Sequence, residues 1–246
     1  MKRNKRQRIS DEQVSLLLLS GGKGKRAALE YPKQFFAIAG HPMIAYSLIA
    51  ARKVPDVDEI VVNAPEGYEE QTAEILAAYV PGIPTKIVQS GETRQESVRL
   101  LCDAASHDTV IVHEAARPMI KRTWFRDLLK HPAANVGYCA PISFSMCSVD
   151  HNTGRITGAV PRESTLNVQL PQKFNLATLR AGHKKAVAEN TEFTEDAALC
   201  QTMLGADVFF IEGETSNIKV TNPEDFHVVK LLVEDRAKKG RKWNRQ

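Results

Sequence analysis

The segment from Leu16 to Phe35, LLLLSGGKGKRAALEYPKQF, joins an apolar run to a glycine-rich stretch that carries several cations. These cations are Lys23, Lys25, Arg26 and Lys33. Glycines allow backbone N–H groups to approach an anion closely, and lysine or arginine side chains add positive charge to the site. The residue types and their spacing therefore predict a loop that binds phosphate groups.

Two common phosphate-binding loops do not account for this segment. The Walker pattern GxxxxGK[ST] is absent, whereas the dinucleotide pattern GxGxxA is present from Gly22 to Ala27. A dinucleotide fold also needs an acidic residue about 20 positions later, at the end of a second strand. The corresponding segment, GHPMIAYS, contains no acid and has no strand pattern. We therefore expect a loop for a triphosphate whose pyrophosphate leaves, rather than a dehydrogenase.

The segments around this loop alternate between strand and helix patterns. Val14–Leu19 is a continuous apolar run, which is typical of a strand buried on both faces of a parallel sheet. Further strands are predicted for DEIVVNAP, TKIVQSG and DTVIVHEAARP, and helices for PMIAYSLIAARK, EEQTAEILAAYV and TRQESVRLLCDAA. This alternation predicts the α/β fold class, with a Rossmann-like, mostly parallel twisted sheet and helices on both faces.

The pattern changes after about Gly137. The segment CSVDHNTGRITGAV predicts two short strands around a turn at Asn152–Gly154, so we expect a protruding β-hairpin arm at about residues 139–172. FFIEG predicts a late strand, and NPEDFHVVKLLVEDRAKK predicts a final amphipathic helix. We expect a single domain over residues 13–236, flanked by basic tails at 1–12 and 237–246.

The net charge of +4 comes from the two ends of the chain. Residues 1–10 and 236–246 contain 11 cations and no acid, which leaves 22 cations and 29 acids, a net charge of −7, elsewhere. Basic tails are commonly solvated, so nucleic acid is not an expected partner. The four cysteines form no CxxC pair, and no segment approaches the ~20 apolar residues of a membrane span. We expect a cytoplasmic protein that does not enter a membrane.

Six motifs in a fixed order give the chain a resemblance to a known family. They are GGKGKR…YPKQF, SGETRQESV (Ser90–Val98), VHEAARP (Val112–Pro118), VPRESTLNVQLPQKF (Val160–Phe174), TEDAAL (Thr194–Leu199) and NIKVTNPED (Asn217–Asp225). The chain resembles the 2-C-methyl-D-erythritol 4-phosphate cytidylyltransferase family of nucleotidyltransferases. Ribitol-5-phosphate cytidylyltransferases are near relatives of that family.

The resemblance implies a reaction and its partners. CMP would move from CTP to a polyol phosphate, most directly 2-C-methyl-D-erythritol 4-phosphate, to give a CDP-polyol and pyrophosphate for isoprenoid biosynthesis by the non-mevalonate pathway. A divalent cation such as Mg²⁺ would accompany the triphosphate. The hairpin arm would cross to a second subunit in a homodimer.

The resemblance also implies roles for individual residues. The residues at matching catalytic positions are Arg26, Lys33, Arg162 and Lys219. The residues at nucleotide-binding positions are Ser20, Gly21, Gly22, Gly91, Arg94, Ser97 and Ala115. The residues at substrate-binding positions are Glu114, Arg117 and Ser145. Glu114 is also the candidate metal ligand, and Arg162, on the arm, would serve the site of the partner subunit.

Three departures from the family pattern concern the acceptor side of the site. Glu114 replaces an aspartate, Leu170 replaces a residue with a hydroxyl group, and Ser143–Ser145 replaces an Arg-Asp-Thr sequence. Two alternatives therefore remain open. The chain could be a cytidylyltransferase for ribitol 5-phosphate or another sugar-alcohol phosphate, or a family member that binds CTP without turnover.

Overall fold

The computed structural model describes residues 8–9, 11–22 and 30–243, and the side chains of 239–243 lie outside that description. Arg26, the predicted catalytic arginine of the glycine-rich loop, therefore lies outside the described residues, as do Lys23 and Lys25. Within the first predicted basic tail the structure describes residues 8–9 and 11–12, whereas the second predicted tail belongs to a helix as far as Trp243.

The described part of the chain alternates strands and helices, as the sequence predicts, before a run of four strands with no α-helix between them. The strands are β1 (Val14–Leu19), β2 (Ala37–Ile38), β3 (His41–Pro42), β4 (Val57–Ala64), β5 (Thr85–Gln89), β6 (Thr109–Glu114), β7 (Val136–Pro141), β8 (Cys147–Asp150), β9 (Arg155–Ala159), β10 (Leu166–Asn175) and β11 (Phe209–Glu212). The α-helices are α1 (Met43–Ala51), α2 (Glu69–Tyr79), α3 (Arg94–Ala104), α4 (Arg122–Lys130), α5 (Leu176–Ala188), α6 (Asp196–Leu204) and α7 (Pro223–Trp243). Single 3-10 turns occur at Lys33–Phe35 and Arg162–Ser164.

Seven strands form the main sheet, in the order β11-β7-β10-β6-β1-β4-β5. Neighbouring strands run parallel except at β10, which pairs antiparallel with both β6 and β7. The prediction of a mostly parallel sheet is therefore confirmed, with one reversed strand inside it.

Helices cover both faces of this sheet, and the interior strand β1 is therefore buried on both sides. Leu16 and Leu18 of β1 belong to a core cluster with residues of α1, α2 and α4. Leu17 points to the other face and belongs to a cluster with residues of α3, α5 and α6. Alternate side chains of one strand thus anchor two helical layers, which confirms the predicted doubly covered sheet.

The hairpin arm is also confirmed. Strands β8 and β9 pair antiparallel outside the main sheet, and the Gly154 N–H donates a 2.8 Å hydrogen bond to Asp150. Gly154 has a φ of +70°, which favours glycine at this turn. Pro141 of β7 pairs with Leu166 of β10, so both roots of the arm are neighbours in the main sheet.

Candidate active site

The candidate site lies where the strand order reverses. From β1 the chain continues to β4 on one side and later returns to β6 on the other side. In open α/β sheets, ligands bind beyond the carboxyl ends of the strands at such a point. Ser20 and Ala115 directly follow β1 and β6, and the Ala115 N–H donates a 2.9 Å hydrogen bond to Leu19. The predicted phosphate loop therefore begins at the expected crevice.

Gly21 is required by a close approach between two strand ends. A Cβ atom at this position would lie 1.6 Å from the Oγ atom of Ser90, which follows β5. The preceding residue, Ser20, is buried, and its carbonyl oxygen accepts a hydrogen bond from the side-chain amide of Gln34. At Gly22, by contrast, an added Cβ would meet no atom within 4 Å.

A second loop, between β5 and α3, is shaped by its own side chains. The Ser97 hydroxyl accepts a 3.1 Å hydrogen bond from the Gly91 N–H, and Glu96 accepts a 2.8 Å bond from the Glu92 N–H. The Thr93 hydroxyl caps α3 by accepting from the Glu96 N–H. The structure thus brings the predicted residues Gly91 and Ser97 together at the amino end of α3.

Glu114 is the centre of a cluster of charges at the end of β6. Its carboxylate lies 3.0 Å from Lys219 Nζ, 3.4 Å from Arg94 Nε and 3.6 Å from Arg117 Nε. Burial alone would raise the pKa of Glu114, but the charges of Lys219, Arg94 and Arg117 lower it. The carboxylate is therefore ionised at neutral pH and holds three predicted site cations together.

The segment before α7 is fixed against the turn that follows β6. Arg117 Nη1 donates a 2.8 Å hydrogen bond to the Asn217 carbonyl oxygen, and the Val220 N–H donates a 2.8 Å bond to the turn. Lys33 Nζ donates a 2.6 Å bond to the Val220 carbonyl oxygen. These contacts place Lys33 and Lys219, both predicted to be catalytic, at the same short segment.

Several buried polar atoms of the cluster have no hydrogen-bond partner within the described residues. They are Ser20 Oγ, Arg94 Nη1, Glu114 Oε2 and Arg117 Nε, and the last two face each other at 3.6 Å. Buried polar groups are normally hydrogen-bonded, so unpaired ones gathered at one edge of a sheet indicate a place for a ligand or ordered water. Donors outnumber acceptors here, which suits an anionic ligand.

The two predicted residues of the arm lie apart from this cluster. Arg162 Nη2 lies 3.4 Å from Ser145 Oγ, and both side chains are exposed. Within the described part of the chain, no hydrogen bond or ion pair joins this pair to Glu114. The roles predicted for Arg162 and Ser145 stay predictions.

Asp196 and His183 are buried next to Arg94, and neither was assigned a role from the sequence. Arg94 Nη2 donates a 2.7 Å hydrogen bond to Asp196, whose other carboxylate oxygen lies 3.3 Å from His183 Nε2. Burial would raise the pKa of Asp196, but Arg94 and His183 lower it, so the group is ionised. Asp196 belongs to the TEDAAL motif, and this motif is the feature of the sequence from which Asp196 could have been predicted as a site residue.

The side chain of Leu170 lies in the hydrophobic core, whereas its motif predicts a position on the acceptor side of the site. Its side chain is 4% exposed and belongs to the core cluster on the α3 face of the sheet. Only its backbone connects with the site, because the Asn217 amide donates a 2.8 Å hydrogen bond to its carbonyl oxygen. This departure from the family pattern therefore alters packing beneath the site.

The described residues do not fit a metal ion held by the protein alone. No group of three or more His, Cys, Asp or Glu side chains among them could hold one. Glu114, the predicted ligand, already has three cationic neighbours, and these would repel a divalent cation. The donor set at this carboxylate fits an anion rather than a metal ion.

The fold and the site together define an α/β enzyme that binds a phosphorylated ligand at the switch point of its sheet. Comparison with known proteins gives the family. The chain belongs to the 2-C-methyl-D-erythritol 4-phosphate cytidylyltransferase family, whose model matches residues 14–235. It is therefore a nucleotidyltransferase, as the sequence motifs predict.

Individual relatives match almost the whole chain. A 2-C-methyl-D-erythritol 4-phosphate cytidylyltransferase of Clostridium perfringens strain SM101 is 32% identical over 89% of this chain and 98% of its own length. One of Deinococcus radiodurans is 34% identical over 91% of each chain. The crystal structure of the Thermus thermophilus enzyme of that name is 30% identical, with a TM-score of 0.72 over 90% of this chain and 99% of its own.

The fold is also found in a more distant structure. The 4-diphosphocytidyl-2C-methyl-D-erythritol synthase of Anaerococcus prevotii matches with a TM-score of 0.78 over 91% of this chain and 99% of its own, at 21% identity. Among the described residues of our chain, no helix has the length and apolar character needed to cross a membrane.

Proposed function

We propose that this protein transfers CMP from CTP to 2-C-methyl-D-erythritol 4-phosphate, giving 4-diphosphocytidyl-2-C-methyl-D-erythritol and pyrophosphate. The observation that carries the proposal is the Glu114 cluster. It gathers Lys219, Arg94 and Arg117 beside the glycine-rich end of β1, at the switch point of the sheet. The relatives that match nearly the full chain bear this enzyme's name.

The geometry supports a reaction by positioning and charge stabilisation. An oxygen of the acceptor phosphate attacks the α-phosphorus of CTP, a new P–O bond forms, and the bond to the β-phosphate oxygen breaks. Lys33 and Lys219, held at the Val220 segment, would neutralise the charge that develops on the phosphates. Arg117, beside Glu114, would hold the acceptor phosphate. Backbone N–H groups from Ser20 to Gly22 would contact the nucleotide.

A divalent cation, Mg²⁺ in our proposal, would enter with the CTP phosphates. Magnesium usually keeps several waters and binds through substrate phosphates with one or two carboxylates, so it does not require a cage of protein ligands. Glu114, the predicted ligand, is surrounded by three cations, so the ion would be held by the phosphates and by water rather than by this carboxylate.

We also propose a homodimer formed through the hairpin arm and a cytoplasmic location. Phe144 and Ile156 of the arm are 78% and 67% exposed, and a two-stranded hairpin is marginally stable alone. A second subunit that covers the arm would remove this apolar surface from water. The four cysteines are free, which fits a reducing compartment.

Pyrophosphate release from purified protein, CTP and Mg²⁺ tests the proposal directly. Parallel reactions would contain 2-C-methyl-D-erythritol 4-phosphate, ribitol 5-phosphate or another sugar-alcohol phosphate. We expect release with the first acceptor. Release only with a different acceptor would make Glu114 and Ser143–Ser145 marks of a changed specificity. Binding of CTP without release from any acceptor would support a protein that binds CTP without turnover.

A further inference from the structure

We propose that Asp196 is a positioning residue that determines which cation Glu114 holds, and thereby keeps Lys219 at the reaction centre. The proposal rests on the proposed function, because it concerns the same site. Asp196 makes no contact with Lys219, so its effect would pass through Arg94 and Glu114.

Arg94 lies between two carboxylates and is held more closely by one of them. Its Nη2 atom is 2.7 Å from Asp196, whereas its Nε atom is 3.4 Å from Glu114. The shorter bond has the geometry of a strong charge-assisted hydrogen bond, and the longer one is at the limit of a hydrogen bond. Asp196 is therefore the principal partner of the Arg94 guanidinium.

The contact with Glu114 is shared with the lysine. Arg94 Nε and Lys219 Nζ both approach the same carboxylate oxygen, Oε1, and the lysine is the nearer, at 3.0 Å. A guanidinium that was free to turn could bind a carboxylate through two parallel hydrogen bonds, which a lysine cannot do. Arg94 would then displace Lys219, whose side chain is 40% exposed and has water as an alternative partner.

The surroundings of Asp196 fix its side chain next to Arg94. It is 1% exposed and begins α6, where the positive end of the helix dipole favours a negative charge. His183, also 1% exposed, lies behind it, with Nε2 3.3 Å from Oδ1. The Asp196 side chain thus has no solvent-filled space into which it could turn away from Arg94.

Removing the charge of Asp196 should therefore rearrange the cluster without touching Lys219 directly. In Asp196→Asn, we expect Arg94 to swing to Glu114 and Lys219 to lose its contact with that carboxylate. A crystal structure of the variant tests this outcome and requires no catalytic activity. Lys219 still within hydrogen-bond distance of Glu114 Oε1 would overturn the proposal.

The double variant Arg94→Gln/Asp196→Asn keeps the proposal testable if Asp196→Asn does not fold. It removes the half-buried arginine that would otherwise lack its partner, so the main cause of instability is gone. Because the competitor for Glu114 is also absent, Lys219 should keep its contact in this structure. A displaced Lys219 here would mean that Arg94 is not the link between the two residues.

Kinetics give a second readout that a purely structural role would not produce. We expect Asp196→Asn to lower kcat on the order of 10- to 100-fold, the scale of a misplaced reacting group. In a Lys219→Met background the same substitution should change kcat by less than about threefold, because its target is already missing. Equal losses in both backgrounds would show that Asp196 acts independently of Lys219.

Asp103→Asn is the matched control. Asp103 lies on α3 like Arg94, but its ion pair with Arg99 is exposed, at 3.2 Å. We expect wild-type kcat and CTP affinity in this variant. If the wild-type protein released no pyrophosphate, the proposed function would fail, whereas the crystal structures would still decide the role of Asp196.

Discussion

The positive charges of the site are arranged around one buried carboxylate, so single side chains should have large and separable effects. Lys219 is the most exposed of the three cations that contact Glu114, and it is the one that could turn toward a bound phosphate. Arg94 and Arg117 are held from behind by Asp196 and by the Asn217 carbonyl oxygen. Of the three cations, one is therefore partly exposed, and the other two are held by a second partner each.

Lys219→Met should lower kcat by about 10²- to 10³-fold, because it removes a cation that stabilises charge developing in the transition state. The thermal unfolding midpoint should change little, since the lysine side chain is partly exposed. Steady-state pyrophosphate release measures the first quantity and calorimetry the second. Lys121→Met, which removes an exposed ion pair with Glu214, is the control and should retain activity. A comparable rate loss in both variants would contradict the assignment.

Gly21→Ala should destabilise the protein, because its Cβ would lie 1.6 Å from Ser90 Oγ and 2.4 Å from Ser90 Cβ. We expect a loss of about 1–3 kcal/mol in the free energy of unfolding, the usual cost of overpacking, measured by urea denaturation. Ser90→Gly in the same chain should restore most of it. Gly22→Ala, with open space around its Cβ, should unfold like the wild type. Equal losses of unfolding free energy in Gly21→Ala and Gly22→Ala would contradict the close approach of Gly21 to Ser90.

At this scale the sequence predicts the residues that carry charge but not the partners that fix them. Lys33 is predicted from a cation-rich loop that is visible in one chain, whereas Glu114 and Lys219 are predicted only from motifs that the chain shares with a known family. Asp196 lies in a motif too, yet its role depends on burial and on Arg94, which is 102 positions away. Such pairs form only through tertiary packing, which a single sequence does not specify.

At the scale of elements, a third buried carboxylate joins neighbouring strands at the amino end of the sheet. Glu59 of β4 accepts hydrogen bonds from Ser15 of β1, at 2.6 Å, and from the N–H and hydroxyl of Ser106, both at 2.9 Å. Lys86 of β5 lies 2.7 Å away. Burial would raise the pKa of Glu59, but these hydrogen bonds lower it to about 2.

The depressed pKa predicts stability that is lost in acid. The folded value of about 2 lies below the ordinary value of 4.5, so the contribution of Glu59 is complete above pH 4.5 and falls as pH drops toward 2. The free energies of unfolding of wild type and Glu59→Gln, measured by urea denaturation, should differ by about 3 kcal/mol at pH 7. The difference should become smaller as the pH is lowered below 4.5.

Glu189→Gln provides the control for this measurement. Glu189 is half-exposed and lies 3.8 Å from Lys185, so its removal should cost little at any pH. A difference between wild type and Glu59→Gln that stayed constant down to pH 3 would show that the ionised carboxylate is not what stabilises the strands.

Strands that contain apolar runs can be predicted from the sequence, whereas β10 cannot. β1, β4 and β6 are buried on both faces, and each contains a run of at least three consecutive apolar residues that makes this burial visible in the sequence. In β10 the sequence LNVQLPQKFN mixes polar residues with Pro171, which argues against an interior strand. The strand accommodates the proline at an irregularity in its pairing with β7, between Gln169 and Gln172.

At the scale of the whole molecule, the hairpin arm is a largely exposed element outside the main sheet. Ile156→Glu should weaken a dimer that buries β9, because a carboxylate would replace an exposed apolar side chain at the interface. Sedimentation velocity over a range of concentrations would show a shift toward monomer. Val187→Glu, on α5 and 60% exposed, is the control and should leave the association unchanged. A monomeric wild type would remove the proposed dimer altogether.

Mixing two inactive variants tests whether the arm acts on the neighbouring subunit. If Arg162 serves the partner's site, a dimer of one Arg162→Met subunit and one Lys219→Met subunit contains one complete site. Unfolding and refolding the mixture should then recover about one quarter of the wild-type rate, since half of the dimers are mixed and each has one working site. No recovery beyond the separate variants would show that both residues act within one subunit.

The pairing of β1 with β6 has a consequence for the synthesis of the chain. β1, β4 and β5 leave the ribosome early and can pair with one another, but the other edge of β1 stays open until β6 has been made. The nascent chain therefore carries the apolar strand Val14–Leu19 with one row of backbone groups unpaired. Chaperones that recognise extended apolar segments would find it there, and the nucleotide crevice closes only once Glu114 and Ala115 have emerged.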